Sequence, residues 1–376
     1  VSGEPRELSR VAALFAELED EPALGRDPFE EPFGEDPLAR RLDLLERSDR
    51  RHRLPPRRSE PLRPVADPGA SAAAGAAARR APVRRRRAQV PALAEIELPK
   101  PSGLLDRLLP DESRRVLMAF SHMVEGEGPY DRFGFSPEVT KAAFPFFQAL
   151  YRAWFRVKSH GHANIPVSGP AVLVSNHAGL LPFDAAMSIV DIALHTDPPR
   201  LARAVVDRWA GTLPWINVFY ARVGQVIGTR ENFADLLDEG QIVLVYPEGI
   251  EGVRKTIAQR YRLQHFRVGF VEHALRAGSP IVPMAVLGSD DQMPVLYDVK
   301  PLARQLGLPV APITPTFPWL GPIGLLPYPV SYRIVYGEPL RFHERFGPEG
   351  AEDARLVRYL ANQVRRSVQL LMDRNR

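Results

Sequence analysis

The chain has 376 residues, with 49 Lys and Arg against 45 Asp and Glu, a formal net charge of +4 at pH 7, and no cysteine. That length holds one large domain or two ordinary ones, and so small a charge selects no partner. The absence of thiols excludes a disulfide framework, a cysteine nucleophile and a cysteine-ligated metal. No charged segment followed by an apolar one opens the sequence, and no run of about 18 apolar residues is free of breakers. No signal peptide, no transmembrane helix and a cytoplasmic location are therefore expected.

Residues 1–95 are dominated by Arg, Pro, Ala and acidic side chains. They bury too little apolar surface to offset chain entropy, so a mostly disordered N-terminal region is expected, with one short helix at Leu8–Leu18. Arginines at 79, 80 and 84–87 form a cluster with three readings: a solvated linker, a patch for anionic lipid, or, least favoured, a nucleic-acid contact. No nucleic-acid partner is expected, because no recognised binding module accompanies the cluster.

From residue 104 to 376 the pattern is that of an ordered domain. Ser136-Pro137-Glu138 reads as a helix start. Val139 to Val157 then carries a broad aromatic face that includes Phe144, Phe147, Tyr151 and Trp154, with a kink expected at Pro145. Strands are expected at Ala171–Ser175, Val223–Ile227, Ile242–Tyr246, Ile281–Leu287 and Tyr332–Tyr336, with Pro283 suggesting an edge or a bulge. Helices are expected at Asp184–Ala193, Glu231–Glu239, Phe266–Ala277 and Ala351–Asp373. The alternation argues for an α/β fold, a mostly parallel or mixed sheet covered by helices.

Four segments carry chemistry. In Asn176-His177-Ala178-Gly179-Leu180-Leu181-Pro182-Phe183-Asp184, a histidine follows a strand and a carboxylate opens a helix. Gly179 and Pro182 make the intervening chain a loop that can fold Asp184 back on His177 and orient it as a base, although a capped helix beside a loop histidine has the same sequence. Gly228-Thr229-Arg230 ends a strand and offers backbone amides with a guanidinium to an anion, or simply a turn with a surface arginine. Pro247-Glu248-Gly249 closes a buried strand, where α/β sheets place ligand-binding groups. Ile281 to Gly288 reads as a core strand.

In this order the four blocks resemble the glycerolipid acyltransferase superfamily over roughly residues 130–339. The resemblance implies that His177 is the general base and Asp184 its partner, with Asn176, Gly228, Arg230, Glu248 and Gly249 holding substrate. It implies an acyl thioester donor, on coenzyme A or acyl carrier protein, and a lipid acceptor, with no metal and no other cofactor. It also implies a membrane surface as partner, so the chain is expected to be peripheral on the cytoplasmic face. Two departures stand out. Six residues separate His177 from Asp184 where the common form has four, and Glu248-Gly249-Ile250-Glu251 replaces the common Glu-Gly-Thr-Arg. Without that arginine, a neutral lipid alcohol stays open as acceptor beside a lysophospholipid or other glycerolipid. A non-catalytic lipid-binding relative and a hydrolase using the same histidine are further alternatives.

The implied reaction is direct acyl transfer, with backbone amides near Gly179 as candidate oxyanion donors. His160 and His162 flank Gly161 in an expected exposed loop. Residues 305–332 carry no charge and include Phe317, Trp319 and Tyr328. Their prolines forbid a spanning helix, which leaves either a loop buried over the site or an apolar surface at a membrane interface.

Overall fold

In the computed structural model, residues 109–124, 128–305 and 308–376 are described. The expectations for residues 1–95 lie outside them. The short apolar runs form a seven-stranded sheet from β1 (Lys158–His160), β2 (Ala171–Ser175), β3 (Ala202–Val206), β4 (Val226–Ile227), β5 (Ile242–Val245), β6 (Ile281–Leu287) and β9 (Arg333–Tyr336). Tyr297–Asp298 (β7) and Pro312–Ile313 (β8) make a separate two-stranded ribbon. The sheet order is β1-β9-β6-β2-β5-β3-β4. Strands β2 to β6 run parallel, β9 is antiparallel to β6, and β1 is parallel to β9.

Every residue of β2, β5 and β6 is buried, because the sheet is covered on both faces. Side chains alternate between the two cores. Ala171, Leu173, Ile242, Leu244 and Met284 pack against α1 (Asp111–Ser121), α2 (Pro137–Ala149) and α3 (Phe183–His195). Val172, Val174, Val243, Val245 and Ala285 pack against the other layer. That layer holds α5 (Arg230–Asp238), α7 (Gly269–Arg276) and α8 (Ala354–Asn375), while the short helices α4 (Ile216–Arg222) and α6 (Ile250–Val253) occupy connections. The α/β fold expected from the sequence is the fold observed.

The differences have local causes. The strand expected at Val223–Ile227 is only Val226–Ile227, because α4 runs to Arg222 and Gly224 turns the chain at φ +92°. β3 carries no clear strand signature, because Arg203 interrupts its apolar pattern. That arginine is buried, paired with Asp131 and set 5.4 Å from the ring centres of Phe133 and Phe135. Pro283 lies in an interior strand, not at an edge. Ile281 and Leu340 exchange both backbone hydrogen bonds, so Pro283, two residues on, directs its missing donor to the same side. There β9 has ended, and Gly337 donates to the Pro283 carbonyl at 2.8 Å. Ser136 caps α2 and Pro137 occupies its first turn. The helix continues through Pro145 to Ala149 and passes into a π-helical turn at Leu150–Trp154.

Candidate active site

The carboxyl ends of β2 and β5, parallel neighbours, bring two of the four motifs together. After Ser175 the chain leaves the sheet, and Gly179 turns it at φ +83°. Helix α3 then starts at Phe183, so Asp184 lies in its first turn, where the dipole and unpaired amides favour a carboxylate. Asp184 is fully buried. Its Oδ1 accepts the Ala185 amide at 2.8 Å, and its Oδ2 accepts the Ala178 amide at 3.2 Å and lies 2.7 Å from His177 Nδ1. A donor at Nδ1 leaves Nε2 as the basic nitrogen. Nε2 has no partner among the described residues, and the histidine side chain is 17 % exposed.

Burial pulls the His177 pKa down, but the Asp184 carboxylate, by charge and hydrogen bond, and the charge of Glu248 outweigh it. The net shift is upward from the ordinary 6.5. The Tyr246 ring lies against the imidazole, with centroids 4.5 Å apart. Burial and the Asp184 charge hold its hydroxyl well above the usual tyrosine range, so it stays protonated.

Glu248 is buried, and both its oxygens serve internal donors. Oε1 accepts the His177 amide at 2.9 Å, and Oε2 accepts the Gln264 amide at 2.7 Å. Lys255 Nζ stands 3.6 Å from that second oxygen and 3.4 Å from Asp290 Oδ1. Asn176 is buried too. Its carboxamide accepts the Val286 amide at 2.8 Å and donates to the Val286 carbonyl at 3.0 Å, tying the end of β2 to β6. Gly249 adopts φ +55° and ψ −138°, which only glycine enters readily. Gly228 and Arg230 are not brought to this point. β4, which precedes them, is the sheet edge, three strand spacings or about 14 Å from β2. The charge of Arg230 instead reaches His273, whose pKa is pushed down to about 4 by burial, then by Arg276 and Arg230.

A scan against protein-family models matches the family described as Acyltransferase at residues 156–287. An uncharacterized protein of Mycobacterium tuberculosis is 40% identical over 248 residues, 65% of this chain and 68% of its own length. The chain belongs to the acyltransferase family. A chicken protein named as a DGAT1/2-independent enzyme synthesizing storage lipids is 25% identical over 191 residues, 51% of this chain and 54% of that protein. The solved 1-acyl-sn-glycerophosphate (LPA) acyltransferase of Thermotoga maritima aligns with a TM-score of 0.39 and 18% identity, covering 64% of this chain and 79% of that one.

Two contributors to the candidate site carry no local signal in the sequence. Gln292, buried, donates to the Ala178 carbonyl at 3.0 Å and accepts the Tyr332 hydroxyl at 2.6 Å, fixing the His177 loop from outside. A Cβ on Gly179 would run into that carboxamide. Gly252 is the second. A Cβ there would lie 3.0 Å from the His177 carbonyl oxygen and 2.9 Å from the Glu248 Cβ, so its bareness lets α6 approach the loop.

A second cluster occupies the other end of α3. Donor atoms of His162, Asp191 and His195 lie within 4.8 Å of one another, a spacing open to a metal ion. The two imidazoles are stacked 4.2 Å apart and only 10° from parallel, so their in-plane lone pairs do not converge on one point. Both address the Asp191 carboxylate, at 3.2 Å each. His162 is therefore part of an internal network, not a freely exposed loop as expected.

Proposed function

We propose that this acyltransferase moves a fatty acyl group from an acyl thioester to a hydroxyl of a glycerolipid, with His177 as general base. The observation that carries the reading is the His177–Asp184 pair, with Nδ1 committed to the carboxylate and Nε2 free. Nε2 takes the acceptor hydroxyl proton as its oxygen attacks the thioester carbonyl. The tetrahedral oxyanion, held by backbone amides of the Gly179 turn, collapses with cleavage of the C–S bond. The leaving thiolate then receives the proton from His177, giving an ester and a free thiol. No cysteine exists to form an acyl-enzyme, and no hydroxyl of a serine bonds to His177 among the described residues. Glu248 acts here by positioning the His177 backbone, while Asp184 fixes the tautomer.

The test is incubation of purified protein with labelled long-chain acyl-CoA and a mixed glycerolipid extract. Thiol release matched by a new labelled ester is the expected outcome. Free fatty acid as the only product would replace transfer by hydrolysis, and lipid binding without turnover would leave only a binding protein. Because the neutral imidazole is the active form and its pKa is raised, kcat/KM should rise with pH along a limb centred above 6.5. A second reading, a neutral lipid alcohol as acceptor, is favoured by Ile250-Glu251 after Gly249, where Glu251 pairs with Arg254 at 3.0 Å. The similarity to enzymes named for storage-lipid synthesis points the same way.

Access to such substrates requires a lipid surface, and we assign one. No helix among the described residues is long and apolar enough to cross a membrane. Trp215 and Trp319 are 85% and 74% exposed, and Phe146, Leu320 and Ile323 are exposed as well. Helix α2 and its π-turn link these positions. Phe147 stacks on Phe219 of α4 at 6.4 Å, and the Trp154 indole donates to the Pro327 carbonyl at 3.2 Å. Exposed aromatics of this kind suit the bilayer interface. The protein should float with phosphatidylcholine–phosphatidylglycerol vesicles, and Trp215→Ser with Trp319→Ser should leave it in the soluble fraction. Flotation indifferent to both changes would place the lipid contact elsewhere.

A further inference from the structure

We propose that Arg267 is the residue with which this acyltransferase recognises a phosphate group on its substrates, a role that rests on the transfer reading above. The turn Pro247–Gly249 is bare at Gly249, whose backbone conformation strains any other residue. The Arg267 guanidinium fills the space beside it. Its Cζ, Nη2 and Nε lie 3.4, 3.5 and 3.6 Å from the point a Cβ on Gly249 would occupy. A guanidinium meeting that point edge-on would bring a nitrogen nearer than its carbon. Here the carbon is nearest, so the flat face rests on the turn and the N–H edges remain for a ligand.

The position is clamped to the reacting centre. The Arg267 amide donates to the Pro247 carbonyl at 3.0 Å, and three residues earlier Gln264 donates to Glu248 Oε2 at 2.7 Å. The other oxygen of that glutamate holds the His177 amide. Phe266, 1% exposed, anchors the segment in the core from below.

The charge is also uncommitted. Among the described residues, Arg267 has neither an ion pair nor a side-chain hydrogen bond, and it is exposed. Neighbouring cations are spent: Lys255 on Glu248 and Asp290, Arg254 on Glu251 and Asp298, and Arg260 on Asp291. A solvent-facing guanidinium with free N–H edges matches a phosphate in charge and geometry. Tertiary structure thus brings a cation to the turn where the local sequence Ile250-Glu251 has none. The phosphate is carried either by the acceptor headgroup or by the coenzyme A donor.

The experiment uses the full chain as wild type, Arg267→Ala, Arg267→Lys and, as a control on the same loop, Arg262→Ala. Initial rates are measured with 1-acylglycerol 3-phosphate and with 1-acylglycerol, each with acyl-CoA and with acyl-pantetheine, which lacks the nucleotide. If the acceptor carries the phosphate, Arg267→Ala lowers the phosphorylated-to-neutral ratio of kcat/KM by about 10- to 100-fold with both donors, mostly through KM. If the donor carries it, the loss appears with both acceptors and disappears with acyl-pantetheine. Arg267→Lys should restore part of the loss, since a point charge replaces the fork. Rates that do not change in any arm, or an equal loss from Arg262→Ala, would overturn the assignment. Equilibrium dialysis with glycerol 3-phosphate and with coenzyme A needs no turnover. Should the wild type transfer no acyl group, the transfer reading fails, and dialysis still decides Arg267 by whether the alanine variant loses either ligand.

Discussion

His177→Ala is expected to lower kcat for acyl transfer by about 10²- to 10⁴-fold, the range supplied by a positioned general base. Little else should change. The side chain is partly exposed, and its one hydrogen bond among the described residues is to Asp184, which keeps the amides of Ala178 and Ala185 as donors. The thermal midpoint should therefore stay close to wild type, and substrate KM with it, because the lost interaction belongs to proton transfer and not to ground-state binding. Asp184→Asn is a less clean probe. An amide accepts only through its oxygen, so the replacement leaves a buried backbone donor or the imidazole without a partner. Measured turnover by His177→Ala at the wild-type rate would remove the histidine from the mechanism, whatever the family.

Asp191→Ala is expected to destabilise the fold by about 3–5 kcal/mol without altering the pH dependence of the remaining activity. Asp191 is fully buried seven residues after Asp184, roughly 10 Å along α3. Its carboxylate accepts the hydroxyls of Tyr151 at 2.6 Å and Tyr336 at 2.7 Å, and that of Ser159. Two imidazoles complete the set. Removing the acceptor strands the buried tyrosine hydroxyls, whose desolvation is then uncompensated.

The same cluster makes the deficit depend on pH. Burial alone would raise the Asp191 pKa, but its hydrogen bonds from His162, His195, Ser159 and Tyr151 hold it far below the ordinary 3.8. A depressed carboxylate contributes stability above that ordinary value and loses it as pH falls further. The hydrogen bond to Asp191 raises His195 above 6.5, against the effect of burial. A raised histidine contributes below 6.5 and loses it as pH rises through the folded value. The wild-type advantage in thermal midpoint should therefore be widest between 3.8 and 6.5. An Asp191→Ala protein that melts like wild type but turns over no substrate would assign the cluster to catalysis instead.

Much of this architecture is legible in the amino-acid sequence. Mostly apolar runs at residues 171–175 and 281–287 point to strands buried on both faces, and those spans are the ones found. The interior strand β3 could not be read, because its central Arg203 is tolerated only through Asp131, Phe133 and Phe135 about 70 residues earlier. Pro283 misled for a related reason. A missing donor argues for an edge unless the neighbouring strand ends at that level, and β9 ends at Tyr336, far along the chain from Pro283.

The sequence by itself determined that a loop and a helix start separate His177 from Asp184, since Gly179 and Pro182 break a continuous helix there, and it left two outcomes open: a base–carboxylate pair, or a capped helix beside a loop histidine. Tertiary structure decided between them and supplied what fixes the loop: Glu248 beneath the His177 amide, Gln292 on the Ala178 carbonyl and Gly252 against the loop. These contacts depend on the register of parallel strands joined by long crossovers, which no local pattern encodes. The same register sets the strand before Arg230 at the sheet edge and leaves Arg267 beside Gly249, exposed and without an ion pair among the described residues.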